Sequence, residues 1–349
     1  MHRTPSVTQV RTLTDGGQSP VEIARLLASF LERAEQTLDI AIYDVNLADE
    51  TEQIVLGTLR AAAARGVRVR LLYNVDNRPP GDVVPPPPKT RPDEIEALPV
   101  ATCGIPGWPD LMHHKYVVRD RASVWTGSTN WTDDSWSREE NVVAVVDSDA
   151  IADRYAEDFD QLWLTKQVRR SGKVSTAPAD GVRAWFSPKR GERLSHRIAH
   201  AIACAERRVR IASPVISSGP ILGTLADVVA DGKVDLAGVI DNTQVNEVLA
   251  QWAANPVKTW KGSALRTALA GAPFSGKRST PYAPGAVHDY MHAKVTVCDD
   301  TVFVGSFNLS HSGEENAENV LEIEDAGLAE RLATYVDDVR ARYPKVELS

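Results

Sequence analysis

Long apolar runs are missing from this chain. Nowhere do about 18 uninterrupted apolar residues occur, the length a membrane-spanning helix requires. The opening residues MHRTPSVTQVRTL hold no apolar core and no small-residue cleavage site, so no secretory leader is expected. Cysteine is scarce: Cys103, Cys204 and Cys298 are odd in number and far apart. They argue against a disulfide framework or a zinc knuckle and suit a reduced, cytoplasmic chain. Basic charge is in deficit, since 39 Lys and Arg against 47 Asp and Glu leave a net charge of −8. A protein that coats nucleic acid without selectivity needs the opposite balance, because that affinity comes from cations neutralising phosphates. HExxH, CxxC, a P-loop and a dinucleotide fingerprint are absent too, and no dense carboxylate cluster lies near the histidines. Neither a metal nor a cofactor is therefore expected.

What is present is a sequence written twice. At 349 residues, 43% hydrophobic and 25% charged, the chain has room for two globular domains. LASFLERAEQTLDIAIYD (Leu27 to Asp44) reads as an amphipathic helix followed by an apolar strand, and IAHAIACAERRVRIASPV (Ile198 to Val215) repeats that organisation. LRAAAARGVRVRLLYNVDN (Leu59 to Asn77) is echoed by LADVVADGKVDLAGVIDNT (Leu225 to Thr243), each a helix ended near a glycine and followed by a strand. Strand and helix alternate in each half, which predicts two α/β lobes with largely buried sheets. The polar, breaker-rich stretch Thr165 to Gly181 is the expected boundary, giving lobes over 1–168 and 180–349.

A third pair of segments carries the chemistry. MHHKYVVRDRASVWTGSTNWTDDSWSREENVV (Met112 to Val143) matches MHAKVTVCDDTVFVGSFNLSHSGEENAENVL (Met291 to Leu321). Each has His-x-Lys-x4-Asp: His113, Lys115 and Asp120, then His292, Lys294 and Asp299. Each continues with Gly-Ser-x-Asn, supplying Ser128 and Asn130, then Ser306 and Asn308, and ten residues later a Glu-Asn-Val with Glu140 or Glu318. In a strand, residues two apart share a face, so His and Lys of each copy point the same way. A phosphate between them would be held by the Lys charge, the Asn amide and the Ser hydroxyl. Two histidines can then divide the work of displacement at a phosphodiester, one as nucleophile and one as proton donor. A carboxylate on the far ring nitrogen would fix each tautomer, and Glu140 and Glu318 are the candidates.

HHKYVVRD…GSTN and HAKVTVCD…GSFN resemble the paired motifs of the phospholipase D superfamily. The resemblance implies two similar lobes, each a mixed β-sheet flanked by helices, related by a pseudo-twofold axis with the active site between them. It implies a phosphohistidine intermediate resolved by water or an alcohol, with His113 as nucleophile, His292 as general acid, and Asp120 and Asp299 in support. No oligomer is needed to complete such a site, so a monomer is expected.

Two substrate classes follow from the resemblance, a phospholipid with peripheral contact to the membrane, or DNA or RNA. A third reading is an inactive phosphate-binding scaffold, which the intact His and Lys sets disfavour. The net charge favours the lipid. The stretch from Ala253 to His288 departs from that charge, with Lys258, Lys261, Arg266, Lys277 and Arg278 and no acidic residue. This stretch, with Trp260, Phe274 and Tyr282 interleaved, and the proline-rich Arg78 to Pro92 are candidate substrate lips. His114 should face away from the motif, into packing or the surface. Trp131 and Trp136 fit core packing, and His288 and His311 fit structural or rim roles.

Overall fold

The computed structural model describes residues 7–76, 89–283 and 285–348. Residues 78–88 of the proline-rich loop lie outside that range, so its expected role as a lip is addressed only by Lys89 to Pro92.

Seven strands form the first sheet: β1 (Val7–Leu13), β2 (Thr37–Ile42), β3 (Arg68–Val75), β4 (Ala101–Pro106), β5 (Lys115–Arg119), β6 (Ser123–Gly127) and β7 (Asn141–Asp147). Seven more form the second: β8 (Val182–Phe186), β9 (Arg208–Ser213), β10 (Asp235–Asp241), β11 (Phe274–Lys277), β12 (Val295–Cys298), β13 (Thr301–Gly305) and β14 (Asn319–Glu324). The spatial orders are β1-β7-β6-β5-β2-β3-β4 and β8-β14-β13-β12-β9-β10-β11, the same path walked twice. In both, the two helix-linked pairings are parallel and the hairpin pairings antiparallel, so each sheet is mixed. These are the two expected α/β lobes. The motif strands β5 and β12 lie at the centre of their sheets.

Runs such as VVAVV and VTV are apolar on both sides because both faces are covered. Helices Pro20–Glu32 and Asp49–Ala64 cover the outer face of the first sheet, and Gly191–Ala203, Gly219–Asp231 and Thr259–Gly271 that of the second. Helices Asp149–Thr165 and Ala326–Arg342 are counterparts that pack between the sheets, started by Ser148 and Asp325 caps on the Ile151 and Leu328 N–H groups. One hydrophobic cluster runs through Val118, Val146, Phe159, Phe186, Val297 and Val336, so the lobes share a core. The boundary stretch is pinned to it, with Ser171 and Val174 buried and the Gly172 N–H on Asp158 Oδ1 at 2.8 Å. Among the described residues no helix is long and apolar enough to cross a membrane.

Candidate active site

Each histidine sits just before its central strand, on backbone held by the opposite lobe. The His113 N–H donates to Ala317 O at 2.9 Å, and the His292 N–H to Glu140 O at 3.2 Å. Asn74 and Asp241, at matching ends of β3 and β10, receive the Met112 and Met291 N–H groups, each at 3.0 Å. The two imidazoles meet across the lobe junction with ring centroids 6.4 Å apart. They face a cavity of about 650 Å³ lined from both lobes, by Tyr43, Asp44, Leu111, Asn130 and Glu139 on one side and Glu247, Tyr282, His288, Tyr290 and Asn308 on the other.

Lys115 and Lys294 lie behind the rings. Lys115 Nζ donates to His113 O at 2.7 Å and sits 4.8 Å from the Tyr43 ring centroid, while Lys294 Nζ donates to His292 O at 2.5 Å. Burial is the main force on every ionisable group here. It lowers Lys115 to about 7, against the pull of Glu318, Asp44 and Glu139. Burial, then Lys115, holds Lys294 well below the lysine range. Burial and then the two ammoniums hold both imidazoles well below theirs, which favours their neutral forms. Burial lifts Glu139 and Glu318 to about 7. An anion bound beside the lysines and histidines would favour their charged forms.

The two histidines are oriented differently. His113 Nδ1 faces both oxygens of Glu318, at 2.8 and 2.9 Å, as expected. Glu140 does not reach His292. Its carboxylate accepts from Lys277 Nζ at 3.0 Å, from the Asp15 N–H at 3.3 Å and from the Tyr343 hydroxyl. His292 Nδ1 meets Asn141 Oδ1 at 3.1 Å, with Glu139 Oε2 at 3.4 Å. The cause is register. Gly127 pairs with Val143, whereas Gly305 pairs with Val320, the counterpart of Val142. A one-residue slip turns alternate side chains to the other face, sending Glu140 away and bringing Glu139 and Asn141 to the ring. Glu139→Gln should therefore cut turnover, with Glu140→Gln closer to wild type in rate. Glu140→Gln should instead lower stability, by up to about 3 kcal/mol, by weakening the buried partner of Lys277. Paired melting curves and initial rates check both.

Other expected residues are placed elsewhere. Asp120 stands at the far end of β5, roughly 20 Å along the strand from His113, and its carboxylate accepts the Glu35, Gln36 and Thr37 N–H groups at 2.7–2.9 Å. Asp299 does the same for Glu206, Arg207 and Arg208 at 2.8–2.9 Å. Both are turn anchors remote from the cavity rather than parts of it. Ser128 and Ser306 are fully buried and line no part of the cavity. Their hydroxyls receive the Val142 and Asn319 N–H groups at 2.9 and 3.0 Å, tying β7 and β14 in place. Asn130 and Asn308 do line the cavity, each with a buried Oδ1 that has no partner among the described residues.

His114 turns into the core against Asp158 at 2.9 Å. Trp131 and Trp136 are core residues of the first lobe and Phe274 of the second. His311 is exposed beside Glu314. Lys277 and Arg278 are committed to ion pairs with Glu140 and Glu347. His288 and Tyr282 do reach the cavity. Of the proline-rich loop, Thr90 Oγ1 donates to Asp44 Oδ1 at 2.9 Å, and Lys89 Nζ bridges Asp134 at 3.2 Å and Ala286 O at 2.9 Å, spanning the lobes at the cavity edge. The sequence reading missed Tyr43, Asp44, Glu139 and Tyr290. Only Glu139 carried a signal, a second acid beside Glu140 where the other copy has Ala317.

Two lobes of one topology, with a His-Lys pair from each meeting at the junction, define the architecture of the phospholipase D superfamily of phosphodiester-acting enzymes. The chain belongs to it: the family model described as cardiolipin synthase, phospholipase D-like domain, matches residues 27–163 and again 198–340. A phospholipase D of Rickettsia felis is 27% identical over 152 residues, covering 43% of this chain and 66% of the relative. A mitochondrial cardiolipin hydrolase of Xenopus tropicalis is 26% identical over 144 residues, covering 40% and 60%. The match thus spans about two thirds or less of these relatives' own lengths. Among solved structures, phosphatidylserine synthase of Haemophilus influenzae shares the fold with a TM-score of 0.68 at 14% identity, covering 97% of this chain and 87% of that one. Polyphosphate kinase of Porphyromonas gingivalis follows at 0.61 and 10%, covering 95% and 47%.

Proposed function

We propose that this protein is a phospholipase D-type phosphodiesterase that hydrolyses or exchanges phospholipid head groups through a phosphohistidine on His113. The observation that carries the choice of substrate is the cavity lining. Among the described residues it includes Asp44, Glu139 and Glu247 but no Lys or Arg. A polynucleotide brings charge on both sides of the scissile phosphate and needs cations along its path. A phospholipid brings one phosphodiester, which Lys115 and Lys294 suffice to neutralise. The names of the phospholipase D and cardiolipin hydrolase relatives agree with this reading.

The asymmetry of the histidines supports their roles. Glu318 on Nδ1 makes His113 Nε2 the stronger nucleophile and stabilises the charge that appears when it bonds to phosphorus. As the P–O bond to the head group breaks, His292 gives its proton to the leaving oxygen. The bound phosphodiester's negative charge raises His292 enough to hold that proton, and with neutral Asn141 as its hydrogen-bond partner and Glu139 farther off at 3.4 Å it releases the proton more readily than it would from a directly bonded carboxylate. Water or an alcohol then loses a proton to His292 and attacks phosphorus, breaking the P–N bond and freeing His113. Asn130 and Asn308 supply amides to the non-bridging oxygens. Val257 and Trp260 are 80% and 51% exposed near Lys258 and Lys261 in sequence, and Lys261 Nζ is bonded at 3.1 Å to the carbonyl of Ser217, which lines the cavity. That apolar and basic edge suits peripheral contact with a lipid surface.

The test offers purified protein, in EDTA, head-group-labelled phospholipid vesicles and, separately, labelled single-stranded DNA and RNA, each beside the His113→Asn variant. Head-group release that vanishes in the variant is the expected result. Strand cleavage with inert lipid would replace this reading with a nuclease.

A further inference from the structure

Three buried polar atoms without a partner among the described residues belong to residues that line the same cavity: Asn130 Oδ1, Asn308 Oδ1 and the Tyr290 hydroxyl. The two asparagines are the repeated pair of the motif. Tyr290 is not part of any repeat, because its counterpart two residues before His113 is Leu111, which lines the opposite part of the cavity. An orphaned buried hydroxyl is disfavoured by roughly 1–3 kcal/mol unless something bonds to it. Such groups in native structures call for an explanation.

The backbone leaves this ring little freedom. Met291 is fixed by its N–H on Asp241 and by its bridge to Glu140, so the segment entering His292 is extended and anchored on both sides. Tyr290 and His292, two apart in that extended segment, share a face. The ring packs on His288 with centroids 5.2 Å apart, and only 8% of the residue is exposed. Burial raises the hydroxyl above its ordinary range, so it keeps its proton and acts as a donor.

We infer that the Tyr290 hydroxyl donates a hydrogen bond to an oxygen of the bound phosphoryl group on the His292 side, a contact that Leu111, at the matching position before His113, cannot make. The inference rests on the reading that His113 and His292 flank a phosphoryl group. It gives the proton-donor side a hydroxyl where the matching position on the nucleophile side is the apolar Leu111.

Tyr290→Phe tests this with inorganic phosphate as the probe, by calorimetric titration and thermal melting of the whole chain. Removing an orphan hydroxyl should leave the melting temperature of the phosphate-free protein unchanged or slightly raised. Phosphate should bind about tenfold more weakly. A lowered melting temperature with unchanged phosphate affinity would show that the hydroxyl has its partner within the fold and overturn the inference, as would no change in either quantity. Phosphate binding lost in His292→Asn but intact in Tyr290→Phe sinks the tyrosine contact alone. A wild-type protein that takes up no phosphate removes the phosphoryl site itself, and the contact with it.

Discussion

His113→Asn and His292→Asn will each lower turnover of a phosphodiester with an alkyl leaving group by at least about 10³-fold, because one site needs both rings. Neither change should unfold the protein, since Asn preserves the backbone bonds to Ala317 and Glu140 that hold these positions. The two variants part company on a substrate whose leaving group needs no proton. With a p-nitrophenyl ester, the first step, release of p-nitrophenol, should recover in His292→Asn to within roughly tenfold of wild type and then stall at the phosphohistidine, whereas His113→Asn releases none for want of a nucleophile. Burst-phase release of p-nitrophenol, set beside steady-state rates on the alkyl ester, gives the answer. Recovery in the His113 variant instead would exchange the two roles, and half-activity in either would end the shared-site account.

Lys115→Met should cost about 10²–10³ in kcat/KM through lost stabilisation of the developing phosphoryl charge. Its pH dependence is a sharper test. Burial lowers Lys115 to about 7 and lifts Glu318 to about 7. Below pH 7 Glu318 takes up a proton and ceases to anchor His113 as a carboxylate, so activity falls on the acid side. Above pH 7 Lys115 loses its charge and activity falls on the alkaline side. kcat/KM should thus trace a narrow bell about pH 7. In Lys115→Met the alkaline limb should flatten while the acid limb remains. An unchanged alkaline limb would assign that proton to another group.

The lobes, the central place of the motif strands and the meeting of the histidines were legible because each is a local pattern repeated. An apolar strand, a His two residues before a Lys and a glycine-ended helix read alike wherever they occur. Partners set by register were not legible. Glu140 and Glu318 align without a gap in the two copies, yet the slip at Gly127 against Val143 gives them different neighbours. Residue type misled for the Asp and Ser pairs, because an acceptor for a turn and an acceptor in a pocket look the same in sequence. The basic stretch showed its charge but not its use. Lys277 balances Glu140 and Asp15 inside the protein instead of facing a substrate.

Two lobes that share one buried core also share one gene, and that matters for how the site is able to change. A site made by two identical subunits is bound by their symmetry: any substitution appears on both sides of the substrate at once. Here the halves are covalently joined and can drift apart. A carboxylate behind one imidazole and an amide behind the other, or a leucine answering a tyrosine, are differences that only a tethered pair can keep. Fusion thus frees a symmetric frame to bind a substrate whose two ends are unlike, and to tell them apart.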